Sequence, residues 1–498
     1  MRQSLKWMAV VAVFAMVFAA CGGAASPSPA APSGQASPSA AASPLPSQTP
    51  VPSPNFTGPP VTLKWFCCLR GGDDPSTDKV FKQVIKDFNA SQTHIKLVYD
   101  HTAYAGARAQ FSTELASGNP PDIVGPLGVG GANAFEGQWL DLNPYIQKEH
   151  IDLSGFDQGV LNLYKAGGGE QFGIPFAIYP SELYYQPDMF DEAGLEYPPS
   201  EYGQQYKMPD GSMVDWNYDT VRQIAMKLTV DRNNKDATDP AFDSKHIVQY
   251  GFEPQRDDLR TNGAQFFGAG KLLGDDGKTV QIPDAWAAAW KWVYAGTWTD
   301  HFIETNTVYQ SPEFNGGYST FNSGKVAMNT NFLWNLCCIT DAGSNWQIAA
   351  LPSYNGKVTV PMNADTFRIT KGTKHPDEAW YTLKYLILGP AHTKLLNSIS
   401  GFPALKAEQP PFFSQLEQQK TDKGKAVYPK GLNFKIVTDG IQYADIDPNS
   451  ESAMPKYNKS LDVLTKYLTR WYGTGGLNMD AEIANLQKEL QAVWDAPK

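Results

Sequence analysis

Five cysteines carry the most distinctive chemistry in this sequence, and four of them form the adjacent pairs Cys67-Cys68 and Cys337-Cys338. Three arrangements are compatible with this pattern: a disulfide within each pair, two cross-links between the pairs, or free thiols. Zinc is a fourth candidate, but the spacing is not C-x-x-C and no histidine accompanies either pair. We take a vicinal disulfide in each pair as the working hypothesis.

The fifth cysteine, Cys21, follows a segment with the features of a secretory signal sequence. Arg2 and Lys6 supply positive charge, and residues 8–19 form an apolar run that is too short to cross a bilayer. The small residues before Cys21 and the two glycines after it resemble the bacterial lipobox, whose cysteine is lipidated. We therefore expect a signal peptide over residues 1–20 and a lipid at Cys21. An ordinary cleaved signal with an incidental cysteine is the alternative.

Residues 22–60 differ in composition from everything that follows. They contain 11 prolines, interleaved with alanine and serine, and no charged residue. Such a segment cannot bury enough apolar surface to fold, and proline keeps it extended. We expect a disordered stalk over residues 21–60, and a stalk supports the interpretation of an anchor at its start.

The charge and the aromatic content limit the range of functions. The 498-residue chain has a net charge of -10 and a pI near 5.3, which argues against nucleic acid as the partner. Aromatic residues make up 12%, including 13 Trp and 23 Tyr, and such residues either form core or stack on sugar rings. At this length two domains or lobes are expected.

No catalytic, cofactor or metal motif stands out. The sequence has no G-x-S-x-G elbow, no H-E-x-x-H, and no carboxylate pair in the pattern of a glycoside hydrolase. Asp231, Asn233 and Asp236 offer oxygens as calcium loops do, but the glycine and closing glutamate of an EF-hand are missing, so a solvated turn is preferred. The glycine-rich segment 128–133 lacks a dinucleotide-binding context and predicts a flexible loop.

Short strands alternate with helices from residue 61 onward, which is typical of an α/β fold with a largely parallel sheet. The periodicity predicts strands at 61–66, 95–99, 123–124 and 247–252, with helices from 75, over 103–117 and over 218–228. Later helices carry Trp286, Trp290 and Trp380 at core spacing, and the last helix is predicted to be capped by Asp480.

Several segments, in this order, resemble the extracellular solute-binding proteins of ABC importers, of the maltose- and oligosaccharide-binding type. Residues 118–124 (GNPPDIV) resemble the family's GxxPDI, and residues 172–190 are similar to its G-x-P…L-Y-Y-N-x-D-L-F, with Gln186 and Pro187 as departures. Residues 321–328 with Trp334 resemble F-x-x-G-x-A-A-M…G-P-W, although Phe332-Leu333 replaces Gly-Pro. The resemblance covers the chain from residue 61 to its end.

The resemblance implies two α/β lobes of the class II periplasmic-binding-protein type, joined by a multi-crossing hinge with the ligand between them. It places 61–178 and 369–426 in the N-terminal lobe and 179–368 and 427–498 in the C-terminal lobe. It implies a monomeric extracellular receptor, without cofactor, that closes around a mono- or oligosaccharide and delivers it to the permease subunits of an ABC transporter. A surface-anchored carbohydrate hydrolase and a receptor for a non-sugar solute are the alternatives.

The same resemblance implies which residues contact the sugar, whose hydroxyls suit planar polar groups and whose C–H faces suit aromatic rings. Trp334 aligns with a family tryptophan that stacks on a sugar ring, and core packing is its alternative. The further candidates are Arg70, Asp73, Tyr179, Arg256, Asp257, Asp365 and Thr366. Both cysteine pairs would lie near the cleft on opposite lobes, where a vicinal disulfide would offer an apolar surface to the sugar.

Overall fold

The first strands form the parallel part of a sheet, as their alternating apolar residues predict. In the computed structural model, β1 (Val61–Cys67) lies between β2 (Ile95–His101) and β3 (Ile123–Gly128) and runs parallel to both. The helices α1 (Pro75–Ser91) and α2 (Tyr104–Ala116) connect them. The predicted strand–helix alternation in this part of the chain is confirmed.

The structure describes residues 56–69, 75–166, 168–256, 259–260, 262–314, 319–337, 339, 345–399, 401–420, 426–445 and 454–497. All of them belong to one compact unit that spans Gln48–Lys498.

The remaining strands and helices follow in chain order. The strands are β4 (Ala177–Tyr185), β5 (Gln205–Lys207), β6 (Met213–Asp215), β7 (Val230–Asp231), β8 (Ile247–Gln249), β9 (Met328–Phe332), β10 (Gln347–Ala349), β11 (Val360–Ile369), β12 (Phe402–Pro403) and β13 (Ala444–Asp445). The helices are α3 (Val129–Asn133), α4 (Asn143–Lys148), α5 (Gln158–Asn162), α6 (Pro187–Ala193), α7 (Tyr218–Leu228), α8 (Ala264–Phe267), α9 (Asp284–Trp298), α10 (Asn306–Tyr309), α11 (Pro376–Ile387), α12 (His392–Ser398), α13 (Gln409–Gln418), α14 (Lys435–Gly440), α15 (Tyr457–Gly473) and α16 (Met479–Asp495).

Two long strands, β4 and β11, cross the main sheet as antiparallel neighbours. The first half of β4 pairs with β11 and β12, and its second half pairs with β9 and β10. The end of β11 pairs with β3 and its beginning with β13. The sheet is therefore mixed, which corrects the expectation of a largely parallel sheet. The reason is that one crossing strand leads the chain out of the first half of the sheet and the other leads it back.

Side-chain hydrogen bonds account for the starts of two helices. The side chain of Asn217 accepts hydrogen bonds from the backbone N–H groups of Asp219 and Thr220 and so caps the start of α7. The last helix is capped by Asn478, which accepts from the N–H of Ala481, and Asp480 lies in the first turn. The predicted cap was therefore wrong by two residues.

Two predicted segments differ from the structure. The glycine-rich stretch is not a loop, because β3 continues to Gly128 and α3 begins at Val129. The strand predicted over 247–252 ends at Gln249, and single bridges from Tyr250 to Val326 and from Glu253 to Asn329 follow it.

The tryptophans at core spacing are core residues, as predicted: Trp286, Trp290 and Trp380 are all buried. Within the described part of the chain, no helix combines the length and the apolar character that a bilayer crossing requires.

Candidate functional site

Tyr179 and Asp365 meet where the two crossing strands run side by side. Tyr179 in β4 lies opposite Asn363 in β11, and side chains two positions apart on a strand share a face, so Asp365 lies on the same face. The Tyr179 hydroxyl donates a hydrogen bond of 3.1 Å to Oδ2 of Asp365. Both side chains are buried. The crossing therefore fixes a carboxylate and a phenol against each other.

Trp334 completes this cluster from a third segment. It lies in the 3-10 turn Leu333–Cys337 that follows β9, and it is half-buried. Its ring contacts the rings of Phe332, at 4.3 Å between centroids, and of Tyr179, at 5.5 Å. Three predicted contact residues, Tyr179, Trp334 and Asp365, are thus brought together, and we call them the crossing cluster.

Thr366 does not join the crossing cluster. Neighbouring side chains on a strand point to opposite faces, so Thr366 is turned away from the face of Asp365. Its hydroxyl donates to the carbonyl oxygen of Ile174 at 2.7 Å, and the side chain is fully buried. Gly173 packs closely on it, because a Cβ added there would lie 2.8 Å from the threonine hydroxyl oxygen. The observed contacts of Thr366 hold the segment before β4.

The Arg256 side chain contacts other residues of the protein through an ion pair and aromatic stacking. Its guanidinium forms a 2.8 Å ion pair with Glu304 and stacks over the rings of Tyr472, at 3.9 Å, and Tyr309, at 4.5 Å. Glu253, which accepts hydrogen bonds from Ser319 and from two backbone N–H groups, belongs to the same buried network. Burial, reinforced by the charge of Glu304, raises the pKa of Glu253 to about 7. These contacts are those of an internal ion pair.

Several predicted residues lie outside the described part of the chain: Cys21, Arg70, Asp73, Asp257, Cys338 and the side chain of Cys337. The structure has a disulfide between Cys67 and Cys68. Both residues are fully buried.

The segment considered for calcium is an exposed turn at residues 232–235, as predicted, with a buried aspartate at its start. Asp231 is fully buried. Its Oδ1 accepts from the backbone N–H groups of Asn233 and Lys235, and its Oδ2 accepts from that of Asp243. The carboxylate therefore accepts hydrogen bonds from backbone N–H groups of its own loop. Within the described ranges, no group of three or more His, Cys, Asp or Glu side chains is placed to hold a metal ion.

Glu182 is a feature of β4 that sequence reasoning missed. It is fully buried, and neither of its carboxylate oxygens has a hydrogen-bond partner among the residues that the structure describes. Burial raises the pKa of Glu182 well above the usual value. The protonated, neutral form is the one that burial favours. A glutamate inside the apolar run before Leu183 was the signal that could have identified it.

The family of the protein is shown by a match that covers more than half of the chain. The family model described as bacterial extracellular solute-binding protein matches residues 72–388. The chain belongs to this family, so the family predicted from the sequence motifs is confirmed. Proteins of this family are binding components of transport systems.

One relative with a known solute matches part of the chain. The sn-glycerol-3-phosphate-binding periplasmic protein of Rhizobium meliloti (strain 1021) is 27% identical over 143 residues, a match that covers 27% of this chain and 31% of that protein. The match therefore spans about a third of the relative's length.

Solved structures extend the likeness to nearly the whole body. An ABC substrate-binding protein of Listeria monocytogenes in complex with cycloalternan has a TM-score of 0.62 at 16% identity and covers 88% of this chain and 99% of its own. The sugar-binding protein MalE of Xanthomonas citri has a TM-score of 0.62 at 15% identity, covering 87% and 97%. The GacH receptor of Streptomyces glaucescens has a TM-score of 0.60 at 16% identity, covering 88% and 99%. The predicted two-lobed α/β fold is confirmed.

Proposed function

We propose that this protein is an extracellular receptor that captures a mono- or oligosaccharide between its lobes and delivers it to the permease of an ABC importer. The observation that carries the proposal is the crossing cluster, in which a half-buried tryptophan, a tyrosine and an aspartate meet at the strands that cross the sheet. A sugar needs such a combination, because its C–H face packs on an aromatic ring while its hydroxyls donate to a carboxylate.

The names of similar proteins favour this ligand class. Solved structures of the same fold were obtained with cycloalternan, with acarbose and with maltotriose. On this proposal, Trp334 stacks on the sugar ring, Asp365 accepts a hydrogen bond from a sugar hydroxyl, and Tyr179 holds Asp365 in place. Arg70, Asp73 and Asp257 are further proposed contacts, whereas Arg256 and Thr366 would act by supporting the site through their internal partners.

Closure and delivery are proposed from the strand topology. We place the N-terminal lobe at 61–178 and 369–426 and the C-terminal lobe at 179–368 and 427–498, so that β4 and β11 pass between the lobes. A hinge motion about these strands would close the lobes on the sugar, and the closed monomer would be recognised by the permease.

A lipid on Cys21 and the stalk after it would keep the receptor beside that permease. We also retain the proposal of a second vicinal disulfide, between Cys337 and Cys338.

A second candidate ligand has a specific observation in its favour. One relative of the chain is by name an sn-glycerol-3-phosphate-binding protein. A polyol phosphate would need cationic groups at the site in place of the aromatic platform, which makes the sugar the preferred ligand of the crossing cluster.

A thermal-shift screen of the purified protein tests the proposal. Mono-, di- and trisaccharides are screened beside sn-glycerol 3-phosphate, and one sugar is expected to raise the midpoint of unfolding in a saturable way, because a ligand that binds only the folded state stabilises it. Chromatography of the incubated sugar should show it intact. Stabilisation by sn-glycerol 3-phosphate, with no effect of inorganic phosphate or of any sugar, would replace the sugar proposal, and release of smaller sugars would favour a hydrolase.

A further inference from the structure

Arg368, in the second crossing strand, is a nearly enclosed cation whose charge is not balanced by the described residues. Only 4% of the residue is exposed, and its enclosed Nε has no hydrogen-bond partner in the part of the chain that the structure describes. Tyr164 is the titratable neighbour that acts on it, and no carboxylate among the described residues forms an ion pair with it. Burial lowers the pKa of Arg368 to about 10, so the guanidinium is charged at neutral pH.

Aromatic rings surround this guanidinium. The rings of Tyr164, Trp139 and Phe172 lie 5.0, 5.3 and 6.0 Å from its central carbon. Cation–π contacts of this kind stabilise the charge through the flat face of the group. They do not replace hydrogen-bond acceptors, because the five N–H groups of an arginine point outward in its plane. The aromatic rings therefore leave Nε, on the edge of the guanidinium, without a hydrogen-bond acceptor among the described residues.

Other arginines of this protein show what the fold normally provides. Arg256 is paired with Glu304 at 2.8 Å, and Arg222 forms two hydrogen bonds of 2.7 Å to Asp300. Arg368 is also nearly enclosed, but no carboxylate of the described ranges forms an ion pair with it. An enclosed charge without a counter-charge is unfavourable, and the imbalance among the described residues points to a bound anion.

We propose that Arg368 anchors an oxyanion-binding site, in which a carboxylate or phosphate group lies in the plane of the guanidinium and accepts two parallel hydrogen bonds. Trp139 and Tyr164 form its buried walls. The half-buried Phe172, which follows the bridge between Lys165 and Gln171, forms its outer edge. The oxyanion is either a free ion or the acidic group of a small molecule. This proposal does not rest on the proposed sugar contacts.

The test is a titration of the purified full-length protein, without sugar, with inorganic phosphate and separately with acetate at constant ionic strength. One of the two is expected to raise the unfolding temperature saturably at low millimolar concentration. General salt stabilisation would instead rise steadily with concentration. Phosphate alone as the effective ion indicates a phosphate ligand, and acetate alone a carboxylate ligand.

Three variants make the test specific. In Arg368→Met the saturable shift should disappear, and in Arg368→Lys the affinity should fall at least about tenfold, because an ammonium cannot form the two parallel bonds. Arg232→Met, which removes an exposed arginine paired with Asp243, should behave like the wild type. If Arg368→Met does not fold, Arg368→Lys decides. The proposal is overturned if neither anion stabilises the wild-type protein saturably, or if Arg368→Lys retains full affinity.

Discussion

Buried carboxylates of this protein are balanced in different ways, and Glu253 is one whose charge responds to pH. Its hydrogen bonds from the backbone N–H groups of Thr320 and Phe321 favour the ionised form, as does Arg256, while burial and Glu304 oppose it more strongly. The result is a pKa of about 7 in the folded protein against 4.5 for the free side chain. Folding therefore favours the protonated form.

This shift predicts how stability depends on pH. Because the pKa is raised in the folded state, the contribution of Glu253 is fully present below about pH 4.5 and is lost as the pH rises through about 7. The Glu253→Gln variant cannot ionise, so its free energy of unfolding should decline less over this window, by ~1–3 kcal/mol. Urea unfolding at several pH values measures the difference.

A matched surface variant provides the control. Glu313 is largely exposed and paired with Lys325, so Glu313→Gln should keep the wild-type pH profile. An unchanged pH profile in Glu253→Gln would show that this carboxyl group does not titrate in the window.

At the scale of elements, α7 illustrates how one side chain defines a helix start. Oδ1 of Asn217 accepts from the N–H groups of Asp219 and Thr220 at 3.0 and 2.9 Å. Asn217→Ala leaves both donors without this partner and should lower the free energy of unfolding by about 1 kcal/mol. Asn217→Ser retains a capping oxygen, so its free energy of unfolding should fall by only a few tenths of a kcal/mol. Equal urea midpoints for Asn217→Ala and the wild type would contradict the capping role.

Elements built from local patterns could be predicted from the sequence. The apolar stripe of α1, the bounds of α7 and the alternation in β1 depend on residues close together in the chain. The mixed sheet could not be predicted in the same way, since the antiparallel pairing of β4 with β11 joins segments nearly two hundred residues apart. The short helix α3 was missed because its glycines indicate a loop.

The candidate site also contains residues that the sequence predicts and contacts that only the fold reveals. Trp334, Tyr179 and Asp365 were identified through family motifs, and the structure brings them together. The partners of Arg256 were not visible in the sequence, because Glu304 and Tyr472 lie far along the chain and meet it only in the fold. Arg368 carries no local signal either, since the absence of an ion-pair partner among the described residues is a property of the assembled core.

At the scale of the whole molecule, the two crossing strands connect structure to the proposed mechanism. Each pairs with different strands along its length, so the same backbone is shared by both halves of the main sheet. A ligand held at the crossing cluster would contact the strands about which the lobes are proposed to move. Binding and closure would then be coupled through Tyr179, Asp365 and Trp334, because the ligand would bind the closed arrangement more tightly.

Calorimetric titration of the stabilising sugar tests this central claim most directly. The sugar should bind the wild-type protein with one-to-one stoichiometry. Trp334→Ala and Asp365→Asn should each weaken binding at least about tenfold, since each removes one principal contact, which corresponds to about 1.4 kcal/mol. Tyr104→Ala, which removes an exposed aromatic ring on α2, should bind as the wild type does. Unchanged affinity in both cluster variants, with the proteins folded, would contradict the account.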